Sequence, residues 1–316
     1  MKVMDNIKCV LTRDEIAVFT LRALYAEYGY AQYKMSKFEE YELYVRNKDF
    51  LVSDNVITFT DTDGRLLALK PDVTLSIIKN NKDNPDGLIK AQYNENVYRI
   101  SGSTHSFSEL MQVGLECIGN VGDAEIAEVL FLASKSLDSI SKDNLIAISQ
   151  LNLAEGLMDD AAVSEDGKRR ILAALGQKNG SGIREALDLE GISGRAADLL
   201  VSLAGVYGAP ATVLQRLEEY RINEKTKNAI DSLARITDAL EKMGVTKISI
   251  DFSLVGNMKY YNGIAFKGFA MGIPQGVISG GQYDNLMKKM GRRAKAIGFA
   301  VYLDGLERLP GRAAEV

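Results

Sequence analysis

The stretch Leu110–Gly119, LMQVGLECIG, holds the densest arrangement of groups that could bind a small molecule. Read as a strand with a side-chain period of two, it puts Met111, Val113, Leu115 and Cys117 on one face. Gln112, Gly114 and Glu116 share the other with Leu110 and Ile118. A carboxamide and a carboxylate flanking a residue with no side chain leave room for a ligand between them. The carboxylate can accept an N–H, and the amide can donate or accept. The same pattern fits the solvated face of an antiparallel sheet. Other reactive groups are sparse. The single histidine, His105, lies in the polar run SGSTHSFSE without an evident partner for a general base, and reads as a loop residue. Cys9 and Cys117 stand far apart and cannot build a metal site with one histidine. There is no Gly-rich phosphate loop and no zinc-ligand spacing, so neither metal nor cofactor is expected. GRRAKA near residue 291 is a small basic cluster that fits a solvated loop, or a contact to a phosphate or an acidic surface.

The elements that must position Gln112 and Glu116 are legible around them. Thr12 and Glu15 have capping-box spacing, and Ile16, Phe19, Leu24, Tyr25 and Tyr28 recur near helical period, which predicts a helix from about 13 to Gly29. From 30 to 120, short runs such as VITFTD, LLALKPD and AQYNENVYRI are broken by Asp, Asn, Gly and Ser, which predicts an antiparallel sheet. Asp63 and Gly64 sit between two of these runs and favour a tight hairpin turn. Asp123 is placed to cap a helix over about 124 to 138, and NLIAISQL follows as a strand. Between about 152 and 242 the patterns become helical, broken by Gly, Ser, Asp and Pro210. Strand signals return in TKISIDFSLV, NGIAFKGFA, GVISGG and AIGFAVYL. The expected organisation is an α+β chain: one sheet-rich core built from 1–150 and 244–316, with a helical insertion module over 151–243.

Composition narrows the function. The 316 residues carry a formal net charge of -4 with 46% apolar and 25% charged residues, ordinary for a globular protein. Nucleic-acid binding leans on clustered excess Lys and Arg, so a tRNA body is not the expected partner. No stretch approaches the apolar length of a membrane span and the first residues have no signal-peptide run. The expectation is a cytoplasmic protein with reduced thiols and no membrane contact.

Several segments together carry a family resemblance. LVSDNVITFTDTDGRLLALKPDVT, ENVYRISGSTHSFSELMQVGLECIG, LVGNMKYYNGIAF, SGGQYDNL and AIGFAVYLDGLERL occur in the order of the landmark segments of histidyl-tRNA synthetase, a class II synthetase. The resemblance spans roughly 12 to 309. It implies an antiparallel sheet flanked by helices, a dimer, and a helical insertion where the helical patterns lie. Carried over by position, it implies a histidine site. Asp72 stands where the family has a glutamate that receives the amino group, and Thr74 follows it. Gln112 and Glu116 match the residues that orient the substrate and read its ring. Tyr260 and Tyr261 match the tyrosines lining the ring slot, Gly280 and Gly281 the close-approach turn, and Arg99 the arginine that meets the α-phosphate. An imidazole needs an acceptor for a ring N–H and an apolar wall, which Glu116 and the tyrosines supply.

The adenylation groups of the family are largely replaced. Ser101 stands for a glutamate, Ser108 for a loop arginine, Gly256 and Lys259 for an arginine and an aspartate, and Tyr302, Asp304 and Gly305 for Gly, Glu and Arg. Arg308 falls three residues late, Gln282 replaces an arginine, and Ser36 replaces a proline at the dimer contact. One fixed charge-stabilising donor is worth about 3 to 4 kcal/mol of barrier, so little synthetase activity is expected. The chain also stops soon after Leu309, which implies no anticodon-binding domain. A synthetase-like domain of this kind resembles the regulatory subunits of short-form ATP phosphoribosyltransferase. That resemblance implies a chain with no catalytic residues, histidine as effector, a separate catalytic subunit as partner, and a homodimer within a hetero-oligomer. The alternative is a truncated histidine-activating ligase that loads an acceptor other than tRNA.

Overall fold

The computed structural model describes residues 10–51, 56–100, 106–255 and 260–306. Cys9, Ser101, His105, Gly256, Lys259 and Arg308 lie outside the described residues. The first helix, α1 (Arg13–Glu27), opens with the expected box: Thr12 Oγ1 accepts from Glu15 N, and Glu15 Oε2 accepts from Thr12 N at 2.9 Å. Strand β1 (Ala31–Gln32) follows, then β2 (Phe38–Glu40), α2 (Tyr41–Arg46), β3 (Thr58–Thr60), β4 (Leu66–Leu69) and α3 (Thr74–Asn80). Two long strands, β5 (Leu88–Ile100) and β6 (Phe107–Gly119), are paired along their whole length. Helix α4 (Asp123–Ile140) and β7 (Asn144–Gln150) complete the first part of the core.

Among the described residues the large sheet has nine strands. Its central members are β5, β6, β12 (Lys295–Tyr302), β11 (Ile273–Gln282), β10 (Ile264–Ala270) and β7, in that spatial order. Beyond β7 lie β9 (Ile248–Asp251) and β8 (Tyr207–Gly208), and β1 forms the opposite edge. The sheet is not purely antiparallel, because β1 runs parallel to β5 and β7 parallel to β9. The Asp63–Gly64 hairpin forms as expected, with Gly64 at φ +82° and Asp61 Oδ1 accepting from Asp63 N at 2.9 Å and Arg65 N at 2.8 Å. Its strands do not join the large sheet. They make a separate three-stranded one in the order β2-β4-β3.

The face bearing Val113, Leu115 and Cys117 is buried under α1 and α4, where Leu21, Tyr25, Val129, Leu130 and Phe299 join one core. Tyr25 hydrogen-bonds Ser136 at 2.9 Å, which satisfies the one polar atom it buries there. Asp123 does not cap α4. Gly122 is the cap, with its N–H donating to Glu125 at 2.8 Å. The Asp123 carboxylate instead accepts from Ser232 at 2.9 Å and Arg235 at 2.6 Å, and these belong to α10 (Glu224–Lys242).

Between β7 and β9 run α5 (Leu151–Asp160), α6 (Glu165–Gly176), α7 (Gly180–Asp188), α8 (Arg195–Leu203), α9 (Pro210–Leu217) and α10. Their apolar stripes, including Leu157, Ile171, Leu187, Leu200 and Leu233, share a core with Ile148 and Ile250 of the sheet. Asn223 ties two of these helices: its side chain accepts from Thr226 N at 2.8 Å and donates to Gly156 O at 3.0 Å. Asn223→Ala therefore removes a helix cap and a tie to α5. It is expected to cost about 1–2 kcal/mol, read as a lower urea midpoint.

Candidate functional site

Glu116 stands in a shallow trough formed by strand register. The residues level with it across the sheet are Ala91, Gly298, Gly281 and Ala265, all small. A Cβ on Gly298 would overlap Glu116 Oε2, so the side chain fits only because its neighbour has none. Glu116 is 2% and Gln112 3% exposed, which rules out a solvated sheet face. The trough's other side is closed by elements that follow the small sheet. Thr74, at the start of α3, donates to Glu116 Oε1 at 2.7 Å, and Tyr283, just past β11, donates to Oε2 at 2.5 Å.

These two bonds favour the ionised acid, but burial opposes it and is the larger effect; the Glu116 carboxyl is pushed up to about 8. Asp72 is also buried and its carboxyl raised for the same reason, against the pull of the Leu75 N–H at 3.0 Å and the Arg99 charge. Burial, with nearby acids behind it, pushes the phenols of Tyr93, Tyr260, Tyr261 and Tyr283 up, so all four are neutral.

Asp72 is not on the sheet, and an ion pair locates it. Fully buried Lys70 donates to Glu95 at 2.7 Å, and Glu95 lies level with Gln112. The next residue, Pro71, accepts from Arg99 Nε at 3.3 Å, and Lys70 O accepts from Tyr98 N at 2.9 Å. The Lys-Pro-Asp turn is thereby held against β5.

A cavity of about 480 Å³ opens between these groups, a volume that suits a small metabolite. Its lining includes Asp72, Thr74, Arg99, Gln112, Glu116, Tyr260 and Tyr261, so seven of the nine expected residues come together. The two glycines divide. Gly281 lies beneath the Tyr261 ring, where a Cβ would sit 2.8 Å from Cδ1. Gly280 faces the other way: a Cβ there would meet Phe266 and Phe299 at 2.5 Å, so it serves the core. The space at Gly114 is also not open to a ligand, because the Tyr93 hydroxyl fills it. Tyr260 and Tyr261 pack edge to face at 4.8 Å. Gln112 Nε2 is buried without a hydrogen-bond partner, an unmet donor on the cavity wall.

A second cavity of about 550 Å³ adjoins the first and shares Arg99, Tyr261, Ser279 and Tyr302 with it. Its described charged groups are Arg99, Lys267 and Asp304. Gln282, one of the replaced arginines, accepts from Ile264 N at 2.7 Å and belongs to the sheet. In the basic loop near 291, Arg293 N and Ala294 N both donate to Asp83.

The histidyl-tRNA synthetase family model matches residues 11–306. An ATP phosphoribosyltransferase regulatory subunit of Thermoanaerobacter pseudethanolicus is 32% identical over 289 residues, covering 90% of this chain and 75% of that one. The chain belongs to the ATP phosphoribosyltransferase regulatory subunits, within the histidyl-tRNA synthetase family. A solved ATP phosphoribosyltransferase regulatory subunit/histidyl-tRNA synthetase from Bacillus halodurans superposes on this chain with a TM-score of 0.82 at 26% identity, covering 95% of this chain and 79% of that chain. A chain of an ATP phosphoribosyl transferase complex from Thermotoga maritima shares the fold at a TM-score of 0.73 and 20% identity, covering 93% and 99%.

Four residues that build the site were not singled out as such from sequence: Tyr93, Tyr283, Gly298 and Tyr302, the last read only as a replaced position. Tyr283 had a signal, since period two from Gly281 puts it on the same face. Gly298 had none, because only strand register sets it against Glu116.

The tighter hold of Glu116 on its proton has a readable consequence for stability. Because the folded state holds this proton more tightly than the unfolded chain, whose ordinary value is 4.5, Glu116 contributes stability that is full at low pH and is lost as pH climbs towards about 8. Glu116→Gln removes this titrating proton. Its melting temperature should fall less than that of the unmodified chain between about pH 5 and about pH 8, as measured by differential scanning fluorimetry.

Proposed function

We propose that this chain is the non-catalytic regulatory subunit of a short-form ATP phosphoribosyltransferase and that free histidine is its effector. The observation that carries the reading is the buried Glu116, held by Thr74 and Tyr283 and facing a cavity with an unmet Gln112 donor. An amino-acid ammonium fits the Asp72 carboxylate through a charge-assisted bond. The imidazole fits Glu116 in either protonation state, because a neutral ring presents one donor and one acceptor nitrogen. Tyr260 and Tyr261 wall the ring.

The neighbouring cavity supports a role without adenylation. Among the described residues, Arg99 and Lys267 are offset there by Asp304, which is little positive charge for a triphosphate. Family membership supports assembly with a separate catalytic chain that performs the transfer, and a homodimer within that hetero-oligomer is part of the proposal. So is a cytoplasmic setting; among the described residues no helix is long and apolar enough to cross a membrane. Control works by linkage: histidine inhibits only if it binds the inactive arrangement of the assembly better than the active one.

Mixing this chain with a short-form catalytic subunit should give a co-eluting complex with transferase activity that histidine inhibits. Glu116→Gln should leave the complex and its basal activity in place while raising the histidine needed for half-inhibition about tenfold, the size expected when one buried hydrogen-bonding group is mismatched. Histidine-dependent exchange of pyrophosphate into ATP by this chain alone would instead establish a ligase and remove the proposal.

A further inference from the structure

One wall of the Glu116 cavity comes from outside the sheet. Arg169, Leu172 and Ala173 of α6 line it, and their spacing of three and four places them on a single helix stripe. The opposite stripe, Ile171 and Leu175, is buried in the core of the helical stretch. The helix is fixed in this orientation at its end, where Gly176 packs against Val255 and Lys178 pairs with Asp251 at 2.8 Å. Val255 also lines the cavity, so α6 and Val255 share this wall.

The three consecutive cations of α6 are used differently. Lys168 pairs with Asp159 at 3.0 Å and Arg170 with Glu190 at 3.0 Å, both within the helical stretch. Arg169 pairs with Asp166 on its own helix, and the two side chains are 72% and 68% exposed. A pair so open to water is worth little and is exchanged for a better partner at small cost. Arg99, the other described cation of this cavity, is already engaged by Pro71 O and Tyr302 and faces Asp72. A zwitterionic amino acid needs one acid and one base. Asp72 supplies the acid, and Arg169 is the cation with a guanidinium to give.

We propose that Arg169 is the carboxylate-binding residue of this site, and that α6 closes the ligand in from the side opposite the sheet. The inference rests on the histidine reading above. It makes the helical stretch part of the binding site, so occupancy is felt by α6 as well as by the sheet. The planar fork of Arg169 suits bidentate contact with a carboxylate, which a lysine matches poorly.

The test is calorimetric titration of the full chain with L-histidine and with L-histidinol, which has an alcohol in place of the carboxylate. Arg169→Ala should weaken histidine at least about tenfold and change histidinol by less than about twofold, with Arg169→Lys in between. Arg170→Ala should change neither. Unaltered histidine affinity in Arg169→Ala overturns the inference and leaves the histidine reading standing. Equal losses for both ligands also overturn it, since they mean a packing role. If the unmodified chain binds neither ligand, the histidine reading itself fails and this inference with it.

Discussion

A carboxylic acid taken out of water in the middle of a sheet is the constraint around which this protein is arranged. Burying Glu116 without partners would cost several kcal/mol, and the surroundings answer that cost in three ways. Small residues level with it, Gly298 and Gly281 above all, give the side chain its space. Hydroxyls from Thr74 and Tyr283 engage both oxygens. Holding its proton up to about 8 reduces the charge that has to be buried. Each answer fixes something else: the register of β6 against β12, the placement of α3, and the path of the chain leaving β11.

The sheet's two faces divide the work. One is apolar and carries α1 and α4, with Val113, Leu115 and Phe299 packed beneath them. The other carries acids, an amide and phenols. Because side chains alternate, adjacent residues of one strand serve opposite purposes, as Gly280 and Gly281 do. Polar groups on the second face are located by contacts from outside the sheet, the Lys70–Glu95 pair among them. A buried ion pair is weak evidence for stability, but here it has a position to hold, two residues before Asp72.

The elements that could be read from sequence are those whose signal is local. The Thr12–Glu15 box, the Asp63–Gly64 turn and the helical stripes between 152 and 242 depend on residues a few positions apart, and each formed. What could not be read depends on partners far along the chain. Two-residue strands such as β1 and β8 have no period to detect, and their pairing partners lie about sixty and forty residues away, respectively. Asp123 has the type and position of a cap in sequence, but its partners, Ser232 and Arg235, come from a helix more than a hundred residues later. In the site, the types at Gln112 and Glu116 were informative, whereas the filling of Gly114 by Tyr93 follows only from cross-strand register. Arg169 is one of three consecutive cations in the sequence, and only packing separates it from its neighbours.

The outermost strands of the large sheet deserve a last consequence. β1 and β8 are two residues long each, and β8 is lent by the helical stretch. An edge that short offers a foreign backbone only one or two hydrogen bonds, so lengthening the sheet across molecules gains almost nothing. Joining copies edge to edge at β1 or β8 is therefore a weak route to assembly.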